Sequence, residues 1–150
     1  MADARTRQHL LDALGEATDA LARALAALGE AYEQLDERQA DRLEEELFRP
    51  VQLAYGRAQR TYSEFARRHG LTTREFKTAP PGLPSTGVKG FVEQAMEAIG
   101  AAETELVALQ DSLMPIEVGD PELRAGMSEV RRLIDGLSGR ARAFVRTFGR

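Results

Sequence analysis

Apolar residues three and four positions apart recur along almost the whole chain, and that spacing allows little besides helices packed face to face. In residues 3 to 35, Leu11, Leu14, Thr18, Leu21, Leu25, Leu28, Tyr32 and Leu35 fall on one side of a helix. Residues 37 to 69 repeat the pattern with Ala40, Leu43, Leu47, Val51, Ala54, Ala58, Tyr62 and Phe65. A third stripe, over 88 to 114, runs Val88, Val92, Ala95, Ile99, Ala102, Leu106, Leu109 and Leu113. The fourth, over 121 to 149, runs Leu123, Met127, Val130, Ile134, Leu137, Ala141, Phe144, Val145 and Phe148. No segment alternates with period two over the length of a strand. A lone helix would leave its stripe wet. Each buried Leu gains roughly 1.5–3 kcal/mol only if another stripe covers it. Four stripes of comparable length therefore predict an all-α fold, an antiparallel four-helix bundle formed by residues 1–150 as one domain.

Punctuation marks the joints. Asp36 and Gln39 have the form of a capping box, with the Asp side chain accepting from the third amide. This predicts a turn near 35 to 37. The alternative is a three-helix arrangement in which 3 to 69 is one very long bent helix that absorbs the slip between stripes. Pro50 removes an amide inside the second helix and predicts a kink. Gly70 ends that helix, with His69 beside its terminal carbonyls. Residues 71 to 87 carry Pro80, Pro81, Pro84, Gly82 and Gly87 and form a connector. Pro115 stops the third helix, a short turn covers 116 to 120, and Asp120 followed by Pro121 caps the fourth. Glycines 15, 29, 56, 90, 100, 126 and 136 lie inside predicted helices. Each costs roughly 1 kcal/mol relative to Ala, so close approaches or bends are expected at some of them.

Several chemistries are disfavoured. The chain has no Cys, which removes disulfides, thiolate metal sites and thiol nucleophiles, and fits a cytoplasmic setting. Apolar runs are short, so neither a membrane span nor a secretory signal is expected. A net charge of −4 argues against a dedicated nucleic-acid coat. The two histidines, His9 and His69, are not preceded three residues earlier by Glu, so the Glu-x-x-His motif of di-iron bundles is missing. Glu44, Glu45 and Glu46 read as a solvated acidic face near a helix start, and no metal or cofactor is expected. Ser85, Ser112 and Ser138 lack a nucleophile elbow, and no phosphate-binding glycine loop appears.

Two constellations stand out. Arg124, Arg131, Arg142 and Arg146 form a basic stripe on the fourth helix, a candidate surface for an anion or a partner. Tyr55, Arg57, Tyr62 and Phe65 gather aromatics and cation on the second helix, a candidate ligand pocket. Without a complete catalytic site, the expected function is non-enzymatic: protein–protein interaction or self-association, as in a homodimer. The alternatives are a metal- or small-molecule-binding bundle, and a binder of nucleic acid or anionic surfaces through the fourth-helix arginines.

Overall fold

The computed structural model describes residues 3–77 and 87–148, so Pro80, Pro81 and Pro84 of the predicted connector lie outside the described residues. Every regular element among the described residues is a helix. They are α1 (Ala4–Glu33), α2 (Glu37–Leu43), a π-helical turn (Glu44–Phe48), α3 (Arg49–His69), α4 (Gly87–Asp111), α5 (Met114–Val118), α6 (Pro121–Ile134) and α7 (Leu137–Phe148). The chain turns between α1 and α2, where the Asp36 carboxylate accepts from the Gln39 amide at 2.8 Å. The single long helix over 3 to 69 is therefore not formed.

Four rods result: α1, the run from α2 through α3, α4, and α6 with α7. α1 packs along α3 and α4, and α6 packs along the same two helices from the other side. Contacts fix the directions. Gly15 of α1 faces Tyr62 of α3, while Gly29 and Tyr32 share a groove with Phe48. Thr61 meets Gly126, and Arg68 meets Asp120. Gln110 meets Ser128, and Val92 lies near Ala141. Packed neighbours therefore run antiparallel around the ring. α3 and α4 sit on a diagonal and run the same way, so the end of α3 and the start of α4 lie at opposite ends of the bundle.

The stripes fill the centre. Leu11, Leu21, Leu28, Leu43, Leu47, Phe65, Phe91, Leu106, Leu123 and Phe144 are all sealed from water. α1 is covered on two sides because Ala17, Ala20, Ala24, Ala27 and Ala31 add a second small-residue stripe. The buried Thr18 hydroxyl donates to the Leu14 carbonyl at 2.8 Å, so it carries no desolvation penalty for an unpaired group. Leu113 departs from expectation: it lies beyond the end of α4 and is 68% exposed.

Pro50 acts through a wider turn. With no amide to offer, it leaves the Glu46 carbonyl four residues earlier without its helical donor. The preceding turn opens to π geometry, in which the Arg49 amide reaches Glu44, and Arg140 of α7 donates to the Glu46 carbonyl at 3.3 Å. Arg140 also donates to the Asp135 carbonyl at 3.4 Å, tying α7 to the end of α6.

Two boundaries differ from the sequence reading. The third helix ends at Asp111, and Pro115 sits in the first turn of α5 with its ring buried, where a missing amide costs nothing. The expected turn over 116 to 120 is thus mostly helical. The fourth helix is broken. Asp135 is extended and Gly136 adopts φ +76°, which glycine tolerates without strain. The break turns α7 away from α3 and onto α4 and the π turn. Apolar spacing hides it, because Ile134, Leu137 and Ala141 continue by three and four across the joint.

Glycines divide by what surrounds them. At Gly29, Gly56 and Gly100 a methyl group would meet nothing within 4 Å. Gly100→Ala should therefore stabilise the fold by about 0.5–1 kcal/mol through helix propensity alone, read as a higher midpoint in urea with an unchanged slope.

Candidate functional site

The densest polar cluster joins the C-terminus of α3 to the N-terminus of α6. Gly70 ends α3 at φ +65°, and the Leu71 amide closes the cap by donating to Ala66 at 2.8 Å. This fixes the last turn and aims Arg68 and His69 at Asp120, the N-cap of α6. Asp120 is only 6% exposed. Its Oδ1 accepts from Arg68 Nη2 at 2.8 Å and from the Leu123 amide at 2.9 Å. Its Oδ2 accepts from Arg68 Nε at 2.9 Å and pairs with His69 Nε2 at 2.8 Å. Arg68 Nη1 continues to Glu122 at 2.8 Å. Burial on its own would raise the Asp120 carboxyl. The hydrogen bonds from Arg68, the Leu123 amide and His69 outweigh it and hold the group below its ordinary value. Arg68 is raised in turn, chiefly by its bond to Asp120.

His69 thus bonds a carboxylate rather than the terminal helix carbonyls that its position before Gly70 suggests. A carboxylate–imidazole pair is also a motif of acid–base sites. Here all of the roughly four acceptor positions of the carboxylate are occupied, and the imidazole ring lies against Phe65 with centroids 4.5 Å apart. The cluster is arranged as a clamp between two helix ends, with the Arg68 cation at a C-terminus and the Asp120 anion at an N-terminus, where each helix dipole favours it.

A second clamp holds residues after α3. Arg74 reaches Asp19 of α1 through two bonds, at 3.1 and 2.7 Å, and lies over the Phe76 ring at 4.5 Å. Phe76 meets Tyr62 edge-on at 4.8 Å. Gly15 makes the room, since a methyl there would come within 2.8 Å of Arg74 Nη2.

The proposed pocket residues are spread by this arrangement. Tyr62 and Phe65 belong to the core, 4% and 0% exposed. Tyr55 is half-buried on the Asp19 side, where burial and the Asp19 charge raise its hydroxyl. Arg57 lines a different groove, with Leu53, Arg60 and Glu129.

The basic stripe is cut by the Gly136 break. Arg124 and Arg131 remain on α6, and Arg131 donates to Gln110 Oε1 at 2.7 Å. Arg142 and Arg146 move to α7, where they edge a groove against α4 together with Lys89 and Glu93. Its floor is Val92, Met96, Ala141 and Val145. The α4 residues of this groove had no signal in the sequence, because nothing local says which helix α7 will face.

Among the described residues no three His, Asp or Glu side chains converge as a metal site would require, and Glu44 to Glu46 occupy the π turn. No helix of the described chain is long and apolar enough to cross a membrane. Among the described residues large apolar side chains reach the surface at Tyr32, at Leu53 (55% exposed) and, as a pair, at Leu113 and Ile116, 68% and 66% exposed, which flank the buried Pro115 at the start of α5. Comparison with protein-family models, curated proteins and solved structures gives no match for this chain.

Proposed function

We propose that this chain is a non-enzymatic interaction module of a reducing, cytoplasm-like compartment, which self-associates or docks on another protein through the turn carrying Leu113 and Ile116. The exposure of these two side chains supports the reading. They lie three residues apart at the start of the short helix α5, and Pro115 between them is buried in the protein. Two rigidly presented aliphatic groups in water gain roughly 1.5–3 kcal/mol each if a partner covers them, and anchors of this kind dominate interface energetics.

The test is light scattering across a concentration series, with a pull-down alongside. Leu113→Glu with Ile116→Glu should abolish concentration-dependent mass or the captured partner. The thermal midpoint should stay within about 2 °C, because exposed substitutions change stability by only about 0.5 kcal/mol. A monomer at every concentration, with the same captured proteins from both variants, would rule the surface out.

A further inference from the structure

The groove between α4 and α7 carries a separate assignment. Its floor is incompletely covered: Val92 and Ala141 are buried, while Met96 and Val145 remain half-wet. Around it stand Lys89, Arg142 and Arg146, against one acid, Glu93. All four are exposed. Four arginines elsewhere in the bundle are held by carboxylates: Arg68 by Asp120, Arg74 by Asp19, Arg42 by Glu46 and Arg132 by Glu129. The three rim cations make no ion pair among the described residues. Because α4 and α7 run in opposite directions, Lys89 and Arg146 share one end of the groove. Met96 lies towards the other.

We infer that this groove binds a single-chain anionic amphiphile, with its carboxylate or phosphate head between Lys89 and Arg146 and its alkyl chain along Val92, Val145, Ala141 and Met96. Size decides against a protein helix as the occupant. Stable protein interfaces bury about 1,200–2,000 Å², whereas this trough spans about two turns of each wall, roughly 10–12 Å. Its volume of about 420 Å³ falls within the roughly 300–1,000 Å³ typical of small-ligand sites. Charge sets the head group, since the rim carries three cations to one anion, and charge-assisted bonds to Arg are the strong ones. The site lies on a different surface from the Leu113–Ile116 turn, so each can fail alone.

The experiment is calorimetric titration of the full chain with dodecanoate and dodecyl phosphate, each below its micellar concentration, with dodecyltrimethylammonium as the charge-reversed control. Saturable binding of one or both anions is expected, with the ammonium compound at least about tenfold weaker. Which anion binds tighter identifies the head group. Lys89→Glu with Arg146→Glu should weaken anion binding by roughly tenfold or more while leaving the ligand-free melting curve unchanged. If charge reversal disturbs folding, Lys89→Gln with Arg146→Gln gives the same reading. Met96→Lys should weaken binding by blocking the chain end. Absence of saturable anion binding, equal binding of the ammonium compound, or unchanged affinity in the rim variants would overturn the assignment. So would displacement of bound dodecanoate by an acidic amphipathic peptide that binds more tightly, which would make the groove a protein site.

Discussion

Gly126→Ala should unfold this protein several degrees earlier than wild type, although Ala is the better helix former. α3 and α6 cross where Gly126 faces Thr61. A methyl at 126 would overlap the Thr61 hydroxyl oxygen and stand 2.6 Å from Cγ2 and 3.0 Å from Cβ. Rotating Thr61 cannot clear its own Cβ. The rotamer is also held, since a β-branched side chain in a helix has few choices and the hydroxyl donates to the Arg57 carbonyl at 2.8 Å. The helices must therefore separate, and well-packed neighbours resist that. Overpacking costs about 1–3 kcal/mol, occasionally more, against a propensity gain of about 1 kcal/mol. Because the obstructing Thr61 Cβ is fixed to its own backbone, this site falls at the upper end, so a net loss of about 2 kcal/mol and a fall in Tm of roughly 4–8 °C are expected. Thr61→Ala in the same chain should recover part of the loss, giving a non-additive pair in a double-mutant cycle. A stability at or above wild type for Gly126→Ala would show that the two helices do not meet there.

That glycine illustrates what the sequence can and cannot disclose. The stripes name the core well: each apolar position of the second-helix stripe, from Ala40 to Phe65, is buried. Caps at Asp36, Gly70 and Asp120 were readable because their chemistry is local. A run of glycines in helices signals close approach somewhere, but only the packing tells Gly126 and Gly15 from Gly29 and Gly100. The break at Gly136 is silent because the apolar period survives it. The interaction of Arg68 and His69 with Asp120 spans about fifty residues, and no local rule pairs a helix C-terminus with one distant N-terminus. For the same reason the basic stripe was legible as residues and illegible as a surface: Arg142 and Arg146 acquire a groove only once α7 has turned onto α4.

Asp120→Ala should be the most damaging single change to a polar residue. The carboxylate caps α6 and receives both Arg68 and His69, so one substitution removes an N-cap, worth about 0.5–2 kcal/mol, and charge-assisted bonds worth about 1.5–3 kcal/mol. Arg68 and His69 keep 26% and 22% of their side-chain exposure. They can partly rehydrate, which holds the total loss to about 2–4 kcal/mol and the Tm shift to roughly 5–15 °C. Asp120→Asn separates the parts. Its side-chain oxygen can still accept from the Leu123 amide, so the cap survives while the charge is lost, and a loss of about 1–2 kcal/mol is expected. The pH profile supplies a second readout. Because the folded-state carboxyl titrates below its ordinary value of 3.8, the unfolded chain holds more protons in that interval. Asp120's contribution is then complete above about pH 4 and disappears as the pH falls through the lowered folded value. Urea midpoints of wild type and Asp120→Asn should accordingly converge on acidification below pH 4 and stay separated by a constant amount from pH 5 to 6. A gap that persists undiminished at the lowest pH would mean that the charge on Asp120 is not what joins α3 to α6.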